Sequence, residues 1–202
     1  MPKRTTPYIT QFFNRDKLAF TTLSKCGHLT TAQLKQCGLT DSRIKNYIRD
    51  GLVEKVTFKQ GKARTIGEAY KLTKSGRELA ERQWALRSHY HAQSPVHDLA
   101  IANKYFSLPD HLRETWITET EARDLFQEHL NQMREKGQEE TAKLYQDMLE
   151  KGVISCPDGL YTNEQGVTVA FETITNNYGE EELQAKEAFV QVMGTQYETT
   201  RI

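Results

Sequence analysis

The sequence predicts an α+β fold in two parts, and three observations carry that prediction. The formal net charge over 202 residues is +0, but zero is a cancellation. Residues 1–87 hold 18 Lys and Arg against 7 Asp and Glu, a net of +11, while residues 88–202 hold 9 against 20, a net of −11. Apolar residues recur at helical spacing through the first part and again over 119–151 and 180–193. Short alternating stretches bounded by Gly, Asn and Asp, the pattern of strands and turns, follow Gly152. The expected division is a basic domain over 1–87, a linker over 88–96 and an acidic α/β domain over 97–202. A charge reversal of this kind points to a polyanion-binding module joined to one that binds no polyanion; the plainer alternative is two solvated faces that differ by chance.

In the basic part, Leu18, Ala19, Leu23 and Cys26 form the apolar stripe of a first helix over 14–26, which Gly27 ends. Thr30 or Thr31 caps a short second helix with Ala32, Leu34 and Cys37 inward, closed by Gly38. Thr40 or Asp41 caps a third, Asp41 to Asp50, with Ile44, Tyr47 and Ile48 inward and Ser42, Arg43, Lys45, Asn46 and Arg49 outward. Two short helices across a tight turn, the second basic and polar on its free face, match a helix-turn-helix. A strand over 51–56 and a partner over 68–72 flank the glycine-containing loop 59–65, which carries Lys59, Lys62 and Arg64. Thr73 caps a further helix from Lys74 to about Arg87, with Leu79, Ala80 and Trp84 inward.

The run "HLTTAQLKQCGLTDSRIKNYIRDGLVEKV", a basic loop, and then "AYKLTKSGRELAE" resemble the winged-helix superfamily over roughly residues 15–87. The resemblance implies that the third helix enters the DNA major groove and that the basic loop is the wing. Arg43 and Asn46 are then expected at base edges, since arginine bonds guanine bidentately and asparagine bonds adenine. Ser42 shares the same face. Lys45, Arg49, Lys59, Lys62 and Arg64 are expected at phosphates or in the minor groove. Some winged helices bind protein instead, and the charge of +11 argues against that alternative here.

In the acidic part, Leu99, Ala100, Ala102, Tyr105 and Phe106 keep helical register over 97–106, and Trp116 to Thr118 looks like a short strand. Residues 119–151 read as one or two exposed helices interrupted near Gly137. Strands are expected at 153–155, 160–162 and 167–172, a turn at 163–166, a helix over 180–193 and a last strand over 195–202.

"PDG", a strand hairpin, "VAFET" and a Lys-containing helix look like the core of the PD-(D/E)xK restriction-endonuclease-like fold. In that family two acids hold a divalent metal and a lysine positions or activates the attacking water. The resemblance implies these catalytic roles for Asp158 and Glu172. Ile174 stands where the family expects lysine, a departure that weakens the catalytic implication, and Lys186 on the following helix is the displaced candidate. The other reading makes Asp158 part of an ordinary Pro-Asp-Gly turn and leaves Glu172 on a solvated strand.

Taken together with the "VHDL" helix, the "WITE" strand and "LQAKEAF", the whole chain is similar to the replication-relaxation family of plasmids and other mobile elements. That likeness implies a sequence-specific double-stranded DNA-binding accessory factor acting at a replication or transfer origin and recruiting a protein partner. Two alternatives stay open: a Mg-dependent DNA nuclease targeted by the winged helix, and a transcription repressor whose acidic part dimerises or senses a ligand. No cofactor is expected unless the nuclease alternative holds. His89, His91 and His97 read as linker polar groups, and three cysteines with no CxxC pair suggest neither a disulfide framework nor a zinc site. With no apolar run of membrane-spanning length and a beginning, including Lys3 and Arg4, without the apolar core of a secretory signal, a cytoplasmic protein with no membrane partner is expected. A homodimer is compatible with this reading.

Overall fold

Thr30, Thr40, Thr73 and Thr118 have extended backbone, and their side-chain oxygens accept the N–H three residues on, from Gln33, Arg43, Gly76 and Glu121. Each cap satisfies a donor that a helix start leaves without a partner. The Gln33 and Glu121 side chains return a bond to the capping residue's N–H, at 2.8 and 2.7 Å. These caps place the helix starts of an α+β chain that the computed structural model describes over residues 6–60 and 65–202. The chain divides into two compact units, Met1–Phe106 and Ser107–Ile202.

The first unit runs α1 (Asn14–Cys26), α2 (Thr31–Gln36), α3 (Asp41–Arg49), β1 (Val53–Gln60), β2 (Thr65–Leu72), α4 (Lys74–Trp84) and α5 (Pro95–Ser107), the last ending at the division. β1 and β2 pair antiparallel from Val53 opposite Leu72 to Gln60 opposite Thr65. Both strands run longer than expected, to Gln60 and from Thr65, and residues 61–64 of the expected basic loop lie outside the described residues. Leu29, between α1 and α2, exchanges backbone hydrogen bonds with Tyr70 at 2.9 and 2.8 Å and so fastens the hairpin to the helices. Phe20 lies at the centre, its ring 5.2 Å from those of Tyr47 and Trp84. Tilted and edge-on ring pairs of this kind add about 0.5–1.5 kcal/mol to the gain from burial. Leu18, Ala32 and Ile48, expected inward, are exposed, because Phe20, Leu34 and Tyr47 already fill the depth of the core.

The division differs from the expected linker over 88–96. Tyr90 is buried and its N–H donates to the Ser24 carbonyl at 2.7 Å. On α5, Asp98 Oδ2 lies 2.7 Å from His28 Nδ1, and Asn103 accepts from the Gln33 side chain at 3.0 Å. A polar segment that satisfies buried groups of α1 and α2 is part of their unit, although its composition is that of a linker. Moving the division to Phe106 leaves the charge split unchanged: 19 basic and 8 acidic side chains before it, 8 and 19 after it.

The second unit runs α6 (Asp110–Arg113), β3 (Ile117–Thr118), α7 (Glu119–Glu135), α8 (Glu139–Glu150), β4 (Gly159–Thr162), β5 (Thr168–Ile174), α9 (Glu180–Met193) and β6 (Gln196–Arg201). Gly137, with a φ of 79°, supplies the left-handed turn between α7 and α8. The sheet order is β3-β4-β5-β6; the first two pairs are antiparallel and the last is parallel. A parallel pair needs a crossover, and α9 is it. Alternation along β4 and β5 sends Leu160 and Ala170 into the core made with Ala122, Phe126, Leu130 and Phe189. Tyr161 and Phe171 alternate to the other side and meet Trp116. Residues 153–155 form no strand: their N–H groups are taken by the carbonyls of Met148 and Ala185. Among the described residues no helix is long and apolar enough to cross a membrane.

Gly76, where Thr73 caps α4, sets up a test of the packing beneath α4. Helix propensity alone favours Gly76→Ala by about 1 kcal/mol. A Cβ there would run into the Leu52 carbonyl oxygen, a backbone atom that cannot rotate away, and overpacking of this kind costs about 1–3 kcal/mol. Urea denaturation should therefore find Gly76→Ala less stable than the parent chain. A more stable variant would show that Leu52 does not lie against this turn.

Candidate nucleic-acid interface and buried acid–lysine cluster

Helix α3 turns Ile44 and Tyr47 into the core and leaves Ser42, Lys45 and Arg49 exposed, with Asn46 half-buried. Lys59 is exposed on β1. Lys62 and Arg64 lie outside the described residues.

Arg43 does not share the open face. Its Nε donates to Asp16 Oδ1 at 2.5 Å, and its Nη2 donates to Asp16 Oδ2 and to the Gln11 carbonyl, each at 2.6 Å. Asp16 is fully buried on α1 and also accepts the Tyr47 hydroxyl and the Phe13 N–H. Burial pushes the Asp16 carboxyl up, but the hydrogen bonds from Arg43, Tyr47 and Phe13 outweigh it and hold the group below the usual carboxylate range. The Tyr47 hydroxyl is raised, by burial and by the same carboxylate. Arg43 was expected at a base edge; in the structure its guanidinium fork is matched to the Asp16 carboxylate inside the protein. A helical wheel for 41–50 could not show this, because the partner sits 27 residues earlier on α1.

A further contact missed at the sequence level involves the segment before α1. Asp50, at the end of α3, accepts the N–H groups of Tyr8 and Ile9, each at 2.8 Å, and the Arg49 guanidinium stands over the Tyr8 ring.

In the second unit Asp158, Glu172 and Lys186 come together. The Asp158 N–H donates to Glu172 Oε2 at 3.0 Å, and Asp158 Oδ2 accepts the Thr173 N–H at 2.8 Å. Lys186 Nζ lies 3.0 Å from Glu172 Oε1 and donates to the Cys156 carbonyl at 2.6 Å. Tyr178, not anticipated, donates its hydroxyl to Glu172 Oε1 at 2.5 Å. Ile174 is buried two residues further along β5. Burial is the main force that raises the Glu172 carboxyl, to about 7, and the Asp158 charge adds to it against the Lys186 ammonium. Burial also raises the Cys156 thiol to about 11 and the Tyr178 and Tyr197 hydroxyls.

A divalent ion of the kind the nuclease-like fold implies would need open carboxylate oxygens. Here both Glu172 oxygens already accept hydrogen bonds, and the Lys186 ammonium stands at one of them. Among the described residues no group of three or more His, Cys, Asp and Glu is placed to hold a metal. The residues in this arrangement do not fit the ion. Of the histidines read as linker groups, His91 is exposed, His89 Nδ1 lies 2.9 Å from the Ser24 hydroxyl, and His97 is buried beside Asp98. Burial lowers the His89 ring's affinity for a proton.

Comparison with protein-family models, with curated proteins and with solved structures finds no match for this chain.

The raised Glu172 carboxyl gives folding stability a pH dependence with a definite sign. Between its usual value of 4.5 and about 7, the folded chain holds a proton on Glu172 that the unfolded chain releases. The Glu172 contribution to stability is thus present below about pH 4.5 and falls as pH rises toward 7. Denaturation of the parent chain and of Glu172→Gln across that window should show the decline in the parent only; an identical slope in both would rule the mechanism out.

Proposed function

We propose that the protein is a sequence-reading, double-stranded DNA-binding accessory factor. In this reading the first unit is a winged helix-turn-helix, and the second is a restriction-endonuclease-like domain that serves as a platform for a protein partner. The carrying observation is the division of labour on α3. Its buried side is held by Ile44, Tyr47 and the Arg43–Asp16 pair, while Ser42, Lys45 and Arg49 stand in solvent beside Asn46. A helix fixed on one side with cationic and amide groups on the other suits the major groove, where amides read base edges and cations meet phosphates. The β1–β2 hairpin with Lys59 follows directly, as a wing would, and a net charge of +11 over the first unit supplies the long-range attraction.

For the second unit, the order of helix, antiparallel strands, crossover helix and parallel strand supports the nuclease-like reading. The convergence of Asp158 and Glu172 with a helix-borne lysine supports it too. The replication-relaxation likeness then suggests a role at the replication or transfer origin of a mobile element. The second reading, a Mg-dependent nuclease, would use the same three residues, although both Glu172 oxygens already accept hydrogen bonds. Magnesium-dependent cleavage lost in Asp158→Ala would establish it; binding without cleavage would remove it.

In duplex titrations, Lys45→Ala and Arg49→Ala should weaken binding to every sequence and each reduce the salt slope by about one. Asn46→Ala should lose about 1–3 kcal/mol of discrimination at one base position. Arg43→Ala should lower folding stability by about 3–5 kcal/mol, since it strands the buried Asp16 carboxylate. No affinity of the whole chain for any duplex at low ionic strength would overturn the proposal.

A further inference from the structure

Residues 8–11, which precede α1, are tied to α3 at two points, and backbone atoms of the segment make both ties. The Tyr8 and Ile9 N–H groups donate to the two oxygens of Asp50, each at 2.8 Å, and the Gln11 carbonyl accepts the Arg43 guanidinium at 2.6 Å. Arg43 and Asp50 are about two helical turns apart and so share one edge of α3. Asn46 lies one turn from each, on that same side of the helix. Roughly 10 Å of helix axis separates Arg43 from Asp50, and about three residues of extended chain cover the same length. The segment therefore runs beside α3 in the opposite direction, past Asn46. Ile9 is buried and anchors it, while Tyr8, Thr10 and Gln11 are exposed. The Arg49 guanidinium stands over the Tyr8 ring, 5.2 Å from its centroid, which joins the segment to the outward face of α3.

We infer that residues 8–11 are a second element of the duplex-contacting surface: laid along the Asn46 edge of α3, they meet the sugar–phosphate backbone bordering the major groove, with the Thr10 hydroxyl and the Gln11 amide donating to phosphate oxygens. This inference rests on the reading of α3 as the helix that enters the groove. The major groove is about as wide as a helix with its side chains, so a helix lying in it has a backbone strand on either side. Whatever is fixed along the helix edge then faces phosphates. Hydroxyl and amide side chains are among the groups that bond them and set the register of a protein on the duplex. Because the ties to α3 use the N–H groups of Tyr8 and Ile9 and the carbonyl of Gln11, they do not draw on the Thr10 and Gln11 side chains. Neither side chain is charged, so their contacts add affinity without adding to counterion release. Tyr8 contributes differently, by holding the Arg49 cation at the same end of the helix.

The test titrates the full chain with a mixed-sequence duplex at several salt concentrations and reads Tm alongside. The double variant Thr10→Ala, Gln11→Ala should bind about tenfold more weakly, the loss of two hydrogen bonds, with Tm and the slope of log K against log salt unchanged. Thr10→Lys should bind more tightly and steepen that slope by about one, and Thr10→Glu should bind more weakly. A double variant that binds like the parent, or a Thr10→Lys slope equal to the parent's, would overturn the inference; if Lys45→Ala still weakens binding, the DNA-binding reading itself stands. A parent chain that binds no duplex at low ionic strength would overturn both. Where the double variant also loses Tm, Thr10→Lys decides, since a folding defect does not steepen a salt slope.

Discussion

A charge taken out of water must be matched where it is put, and that constraint organises both units. Asp16, Asp98 and Glu172 are each fully buried, and each is met by a partner from a distant part of the chain. Arg43 reaches Asp16 across 27 residues, His28 stands against Asp98 across 70, and Lys186 meets Glu172 from the next helix. None of these pairs adds much net stability over a well-packed apolar substitute, because desolvation offsets most of the attraction. Their effect is to exclude alternatives. An arrangement that separates a partner leaves a buried carboxyl unmatched, so α1 and α3, the turn between α1 and α2 and α5, and β5 and α9 have one acceptable register apiece.

That exclusion matters most on α3. A helix of nine residues is marginal by itself in water, yet its outer face can serve as a recognition surface only if its orientation is settled before a ligand arrives. The Arg43 fork, gripping both oxygens of Asp16 with the Tyr47 hydroxyl alongside, settles it from below. Asp50 does the same at the far end by holding the Tyr8 and Ile9 N–H groups. The side chains left in solvent are therefore those that the internal bonds did not need.

Much of this was legible in the sequence, and what was not has a common physical cause. Thr30, Thr40 and Thr73 marked helix starts because a capping oxygen acts within three residues. The interruption at Gly137 and the turn at 163–166 were equally local. The Arg43–Asp16 pairing was not legible because helical periodicity separates inward from outward by angle and carries no information about what lies beyond the surface at that angle. The contacts of 88–96 and α5 with the first helices were not legible for the same reason: these polar residues look solvated until Ser24, His28 and Gln33 are seen to face them. Lys186 could be named as a displaced lysine on a resemblance alone, but its bond to the Cys156 carbonyl has no sequence signature.

The distribution of charge bears on which reading of the second unit is the better one. Phosphodiester cleavage brings a polyanion against an acidic centre, which requires cations nearby to overcome the repulsion. The second unit has 8 basic side chains against 19 acidic ones, and the lysine closest to the two acids is already committed to Glu172 and a carbonyl. A unit so charged repels a polyanion, and screening confines that effect to about one Debye length. Under the DNA-binding reading proposed above, a second unit so charged suits a partner with basic or neutral contact groups. The charge balance thus weighs for the binding reading over the cleavage reading.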